Sequence, residues 1–211
     1  MLNKILKQSL ATILGAIVLV SNVNAKAVSG CGNLENAYGP FDYTNPVHVK
    51  NKLPIVEQVH FTFNVESLKK GETGEDPMGD LDYTLRAFPN HHRALNAVMR
   101  YENSGKKRSA DYFSTECYLK RALAFKPDDG IVWMLYGIYK HKKKEYKDAL
   151  QYYNKALKLM HDSPDLHYNL GLLYFDMRMY EKSLLHAQKA YSLGYPLPGL
   201  KNKLVRKNMW E

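Results

Sequence analysis

Cysteine and tryptophan are scarce in this 211-residue chain, which has two of each. Neither cysteine belongs to a Cys-x-x-Cys or Cys-x-x-Cys-His arrangement, so redox catalysis and haem attachment have no support. Gly-rich phosphate loops, nucleophile elbows and helical His/Glu metal motifs are also missing from the sequence. We therefore predict a protein that is not an enzyme, with no catalytic residue, no cofactor and no metal site.

Long apolar runs are scarce as well, and the one that stands out, Ile13–Val20, follows two lysines near the start of the chain. It is too short to span a bilayer comfortably, and small residues that suit signal-peptide cleavage follow it. We predict that residues 1–25 are a signal peptide, cleaved after Ala25 or Ala27. The alternative is an uncleaved anchor helix. After cleavage, nothing in the mature chain is long and apolar enough to span a membrane.

The segment Val28-Ser29-Gly30-Cys31 offers another interpretation, because it resembles a lipoprotein cleavage box in which Cys31 carries the lipid. Such boxes normally adjoin the apolar core of the leader, whereas here a polar stretch separates the two. We therefore expect an exported, periplasmic protein and keep a lipid anchor at Cys31 as an alternative.

Both cysteines, Cys31 and Cys117, lie in the part of the chain that would be exported. An exported chain meets an oxidising compartment, so we predict a Cys31–Cys117 disulfide that fixes the N-terminal segment to the helices. Two unpaired thiols, with Cys117 packed in the core, are the alternative.

One unit of 34 residues is written twice between Gly130 and Leu197. Small and aromatic residues recur at this period, in the pairs Gly137 and Gly171, Tyr146 and Tyr180, and Ala156 and Ala190. A fixed period of this size indicates stacked helical hairpins, each of which buries its apolar face against the next.

Three runs within these units closely resemble the tetratricopeptide repeat (TPR) signature: Trp133-x2-Tyr136-Gly137, Leu170-Gly171-x2-Tyr174 and Ala149-x3-Tyr153. The sequence departs from that signature at four positions, which are Lys140, His161, His167 and Ala187. The resemblance implies an all-α fold, a right-handed stack of about three TPR-type hairpins. TPR arrays generally bind other proteins, so it also implies a scaffold or adaptor with a protein or peptide partner.

The rest of the chain is organised around that stack. Glycine and proline punctuate residues 26–79, which we expect to form an irregular segment wrapped on the repeats. Within it, Ile55–Phe63 is either a short strand or extended chain, or a helix from Pro54 to His60. Residues 80–211 form the TPR-like helical domain, with repeats at about 90–126, 130–163 and 164–197 and a C-terminal capping helix at 198–210.

Basic residues outnumber acidic ones, 30 to 21, and removal of residues 1–25 leaves 28 − 21 = +7. Two basic clusters, 106–108 and 141–144, lie in turns that stacking would place side by side. Such an edge suits an acidic protein or an anionic surface, although lysines that only solvate turns give the same balance. Nucleic acid is not expected, because the chain is exported and this edge lacks interleaved aromatic residues.

The stretch from Tyr83 to Leu95 is rich in hydrogen-bonding side chains, with His91 and His92 at its centre. It resembles a segment of exported TPR proteins of Gram-negative bacteria with an uncharacterised role, a resemblance that covers about residues 28–125. Pro89 indicates a helix break, and Asn90 is a candidate N-cap. We interpret the stretch as a structural dock for the N-terminal segment; a metal-binding protein or enzyme centred on the two histidines is the alternative.

In TPR domains, certain positions of each first helix line a concave groove. Carried onto this chain, these positions give a mostly apolar candidate groove for a partner, made of Met134, Ile138, His141, Tyr168, Leu172 and Phe175. An apolar groove suits a helix or an extended hydrophobic peptide. The alternative is that the N-terminal segment fills it with Phe41, Tyr43 or Phe61, since an uncovered apolar trough invites aggregation.

Overall fold

The computed structural model describes residues 28–210, so the predicted signal peptide and its cleavage sites lie outside the described part. The described chain is helical, without strands, which confirms the all-α prediction. No helix in this part has the length and apolarity needed to cross a membrane. The helices are α1 (Pro46–Asn51), α2 (Leu53–His60), α3 (Phe63–Glu66), α4 (Met78–Ala87), α5 (His92–Asn103), α6 (Thr115–Phe125), α7 (Gly130–Lys142), α8 (Tyr146–Leu159), α9 (Pro164–Asp176), α10 (Tyr180–Ser192) and α11 (Gly199–Val205).

The N-terminal segment is more helical than its sequence indicated, because α1, α2 and α3 all lie within it. The strand interpretation of Ile55–Phe63 is therefore wrong, and the helical alternative is right. Helix α2 starts with a proline in its first turn, where a missing N–H costs nothing. Leu53 and Val56, three residues apart, are buried on one face of α2, whereas Ile55 and Val59 are exposed. This one-sided burial is helical, not strand-like.

Helix α4 ends at Ala87, and α5 begins at His92, as the proline between them predicts. The N-cap of α5 is His91 and not Asn90, because the Nδ1 atom of His91 accepts a hydrogen bond from the backbone N–H of Ala94 at 3.1 Å. The buried side chain of Asn90 is instead engaged with the N-terminal segment. A cap residue has to face its own helix, and this side chain faces away.

The two clear repeats form hairpins, α7 with α8 and α9 with α10. A Cβ added at Gly137 would lie 2.5 Å from the ring of Tyr153, so only glycine lets the two helices cross this closely. In the hairpin of α9 and α10, the Ser183 hydroxyl donates to the Gly171 carbonyl at 2.8 Å. The small residues that recur at the 34-residue period thus lie at the helix crossings.

Another hairpin, α5 with α6, precedes them but is joined differently. Numbered in chain order, α5 with α6 is the first hairpin, α7 with α8 the second and α9 with α10 the third. Residues 104–114 connect the helices of the first hairpin, whereas three-residue turns, 143–145 and 177–179, connect the helices of the other two hairpins. The longer connection spreads α5 and α6 apart, so that α5 also packs against α4 and α7.

Helix α11 caps the stack, and it repeats the pattern of a first helix. Leu200 and Leu204 follow Leu166 and Leu170 by 34 residues, and all four side chains are buried. The cap therefore has the burial pattern of a first helix.

A disulfide joins Cys31 to Cys117 at the start of α6. It uses the Cys31 Sγ atom that a lipid thioether would need, so this arrangement is not compatible with a lipid anchor there. The buried Arg121 reinforces the attachment, because its guanidinium donates to the backbone carbonyls of Cys31, at 3.0 Å, and of Asn33. The N-terminal segment is thus fixed to α6 by a covalent bond and by an arginine.

Candidate partner-binding groove

The six predicted groove residues lie on two neighbouring first helices, α7 and α9. Met134, Ile138 and His141 are four and three residues apart, which places them on one face of α7. Tyr168, Leu172 and Phe175 repeat this spacing on α9. Because α7 contacts α9, the two faces lie side by side along the stack.

The structure brings half of this set together in one surface depression. Its volume is about 320 Å³, and it lies where the C-terminal halves of α7 and α9 meet. Three predicted residues line it, which are Ile138, His141 and Leu172. The remaining lining residues are Lys142, Lys144, Tyr146, Asn169 and Asp176. We call this depression, with its eight residues, the groove.

The other predicted residues do not line the groove. Met134 packs against the core between the second and third hairpins. Tyr168 and Phe175 lie under the C-terminal cap, where Tyr195 stacks on Tyr168 with ring centroids 3.9 Å apart and the ammonium of Lys203 lies 5.2 Å from the Phe175 ring. The cap therefore covers one end of the predicted surface.

The hypothesis that the N-terminal segment fills the groove is wrong, because its aromatic residues pack elsewhere. Phe41 contacts Phe88, with ring centroids 5.4 Å apart. Tyr43 and Phe61 contact His91 at 4.3 and 4.6 Å. These contacts lie at the connection between α4 and α5 and leave the groove uncovered by these rings.

Charged side chains surround the apolar floor of the groove. The Nε2 atom of His141 lies 2.9 Å from an Asp176 carboxylate oxygen, a contact that joins α7 to the end of α9. Lys142 and Lys144 are exposed at the rim. Lys143 turns away to the Glu102 carboxylate, a hydrogen bond that raises the pKa of this lysine. The rim therefore combines one acid that is in contact with a histidine and two cations.

Among the lining residues outside the predicted set, Asn169 carried a signal in the sequence that could have found it. Asn169 lies three residues before Leu172, so the two share a face of α9. Its amide nitrogen donates to the Asp165 carbonyl at 2.8 Å, which leaves the amide oxygen as an acceptor at the groove.

The histidines of the alternative site face different partners. The Nε2 atom of His91 lies 3.1 Å from Glu57, and that of His92 lies 2.8 Å from Asp129. Burial lowers the pKa of His91. Among residues 28–210, no three His, Cys, Asp or Glu side chains are arranged to hold a metal ion.

Asn90 adds the contacts that make this region a dock. Its amide oxygen accepts from the Tyr43 backbone N–H at 2.9 Å, and its amide nitrogen donates to Asp42 at 2.8 Å and to Asp129 at 3.0 Å. One buried side chain thus joins the N-terminal segment, the start of α5 and the start of α7.

Comparisons with known proteins identify the repeat. The family model described as TPR repeat matches residues 140–177, which extend from the end of α7 to the end of α9. Among the similar solved structures is one titled MamA MSR-1 C2, with 15% identity and a TM-score of 0.42 over 69% of this chain and 70% of that chain. No curated protein matches this sequence at a significant level. The chain therefore contains tetratricopeptide repeats, a repeat type of protein-interaction scaffolds.

Proposed function

We propose that this protein is a non-catalytic periplasmic scaffold that binds a protein or peptide partner in the groove between α7 and α9. The observation that carries the proposal is the depression itself. Ile138 and Leu172 form an apolar floor that neither the N-terminal rings nor a neighbouring repeat covers completely. Repeat solenoids use such concave surfaces to hold extended segments of other chains.

The chemistry of the groove defines the segment that fits it. An apolar side chain would enter between Ile138 and Leu172, and an acidic residue beside it would face Lys142 and Lys144. The groove is small, so one or two side chains of a helix or extended peptide would occupy it. Contacts on both sides would have to supply the remaining affinity.

Two features support the periplasmic location. The sequence begins with the pattern of a signal peptide. The Cys31–Cys117 disulfide joins residues 86 positions apart, and such a bond persists in an oxidising compartment.

Site-specific photo-crosslinking in the periplasm tests the proposal. A photoreactive amino acid is introduced in place of Asn169, which lines the groove, and separately in place of Asn154, an exposed asparagine on α8 that serves as the matched control. We expect one or more discrete crosslinked proteins at position 169 that are absent at position 154.

The outcomes also distinguish the other candidate functions. The same crosslinked proteins at both positions would place the binding surface outside the groove. Crosslinks to lipid at both positions would instead favour an anionic-surface protein that uses its basic edge. An absence of protein crosslinks, together with stoichiometric metal in the purified protein, would revive the site centred on His91 and His92.

A further inference from the structure

The long connection between α5 and α6 builds a cavity. Residues 104–114 close a space of about 330 Å³ against α5, α6 and α7. We call it the loop pocket; its lining residues are Met78, Val98, Tyr101, Glu102, Lys106, Arg108, Phe113, Ser114, Thr115, Tyr118 and Tyr139. A hairpin needs only a three-residue turn, as the other two hairpins show, so the extra residues are not required by the repeat fold.

The walls of the loop pocket are aromatic, and their hydroxyl groups are already engaged. Tyr101 donates to an Asp76 carboxylate oxygen at 2.6 Å, and Tyr118 donates to Asp82 at 2.6 Å. Burial and the Asp76 contact raise the pKa of Tyr101 to about 12, so its phenol stays neutral. Tyr101 and Tyr118 are themselves only 1% exposed, so the ring that the loop pocket offers to a flat apolar body is that of the half-buried Phe113.

The polar side of the loop pocket is cationic. Lys106 donates to the Leu68 carbonyl at 3.2 Å, which leaves its other ammonium N–H groups for a ligand. Arg108 donates through Nη1 to two loop carbonyls, those of Ser109 and Tyr112. Its Nε and Nη2 groups make no hydrogen bond to another described residue, so they remain as donors.

The one carboxylate at the loop pocket does not cancel these charges. Glu102 forms an ion pair with Lys143 of the next hairpin, and hydrogen bonds that include the Lys143 contact hold its pKa below the usual range despite partial burial. With that pair neutral and Asp82 paired with Arg86, the two cations Lys106 and Arg108 outnumber the other nearby carboxylate, Asp76, by one charge. An anion is therefore the favoured ligand.

We propose that the loop pocket binds a small organic anion: one ring-sized flat body that carries a carboxylate or phosphate group. The ring lies against Phe113, and the anionic group receives hydrogen bonds from Lys106 and Arg108. The volume is at the lower end of the roughly 300 to 1,000 Å³ found for ligand pockets, so the ligand is one ring in size. This site is separate from the groove and does not depend on the proposed partner.

Calorimetric titration of the purified protein with four probes tests the proposal. Benzoate and phenyl phosphate combine a ring with an anionic group, benzyl alcohol has the ring alone, and inorganic phosphate has the charge alone. We expect saturable one-to-one binding of benzoate or phenyl phosphate that is at least tenfold tighter than that of either single-feature probe. The stronger of the two ring anions identifies the source as a carboxylate or a phosphate.

The variant Lys106→Gln, Arg108→Gln removes both cations, and Lys147→Gln, Lys158→Gln, two exposed lysines on α8, is the charge-matched control. The first variant should bind the ring anion at least tenfold more weakly, whereas the control should bind it as the wild type does. Equal losses in both variants would show that only overall charge matters and would overturn the proposal.

A second measurement does not depend on whether the variant folds. Backbone amide NMR signals of the wild-type protein are followed during titration with the tighter ring anion. We expect the shifts to concentrate at residues 98–118. Shifts confined to another surface, or no saturable binding of any anion, would contradict the loop pocket as a ligand site.

Discussion

The Nδ1 atom of His167 lies 2.9 Å from the Nδ1 atom of His186, and this pair replaces an aromatic contact of the preceding hairpin. Trp133 and Tyr152 stand 34 residues earlier, with ring centroids 5.9 Å apart and an interplanar angle of 30°. The two imidazoles keep that angle, 30°, with centroids 5.2 Å apart. The repeat thus conserves the geometry of the contact and changes its chemistry.

The hydrogen bonds around the pair assign its protons. His167 Nε2 lies 2.9 Å from the His161 carbonyl, which can only accept, so Nε2 carries the proton. His167 Nδ1 is then an acceptor when the ring is neutral, and His186 Nδ1–H donates to it. Protonation of both rings would bring two like charges together. Burial first, and His167 second, lower the pKa of His186 to about 4.

This pair should make stability pH-dependent in a defined window. The folded-state pKa of His186 lies below its ordinary value of about 6.5, so the unfolded state takes up the proton first as the pH falls. The contribution is complete above about pH 6.5 and is lost progressively towards about pH 4. Replacement of the pair by that of the first copy, His167→Trp with His186→Tyr, should reduce the loss.

Urea unfolding at pH 7.5 and pH 4.5 measures this effect. The difference in unfolding free energy between the two pH values should be smaller in the double variant than in the wild type. An unchanged difference in the double variant would show that the imidazole pair does not contribute.

The disulfide should account for a large share of stability. A bond that closes a loop of 86 residues restricts the unfolded chain and stabilises the fold by about 4 to 5 kcal/mol in the chain-entropy model. Cys31→Ser with Cys117→Ser should lower the unfolding free energy in urea by that order. Reduced wild-type protein is the control and should match the variant; a loss below about 1 kcal/mol would contradict the entropic account.

Gly137→Ala should destabilise the second hairpin. The added Cβ would meet the Tyr153 ring, and overpacking of this kind costs about 1 to 3 kcal/mol. Gly74→Ala is the matched control, because a Cβ there meets nothing within 4 Å. The melting temperatures of the two variants are measured by thermal unfolding. Equal values would mean that α7 and α8 can move apart without a loss of stability.

Asn90→Ala should loosen the N-terminal segment. The substitution leaves the Tyr43 backbone N–H without its partner and removes one of the hydrogen bonds to the Asp129 carboxylate, at a cost of about 1 to 3 kcal/mol. Asn96→Ala, a substitution at an exposed position of α5, should change the stability very little. Hydrogen exchange at residues 41–60 gives the local readout; equal protection in both variants would remove Asn90 from its docking role.

The sequence predicted the repeats better than the N-terminal segment, for a physical reason. Helix crossings need small residues at a fixed period, and Gly137 and Gly171 reveal that period directly. Helix α2 does not belong to a repeat, so its sequence has no 34-residue period, and only Leu53 and Val56 are buried on it. Whether this segment forms a helix depends on the surface against which it packs.

The groove was predicted only in part, because its ends depend on distant elements. The spacing of Ile138 and Leu172 places both on the facing sides of α7 and α9, as the structure shows. Which neighbours stay uncovered depends on the cap, and the cap buries Leu200 against the same surface. A pattern within α9 contains no information on where α11 will lie.

The most direct test of the account is the affinity of the groove for the protein that crosslinks at position 169. Its dissociation constant is measured against the wild type, against Asn169→Trp, which fills the depression, and against Asn154→Trp on α8. We expect a dissociation constant at least tenfold higher for Asn169→Trp and an unchanged one for Asn154→Trp. Equal affinities in all three proteins would contradict it.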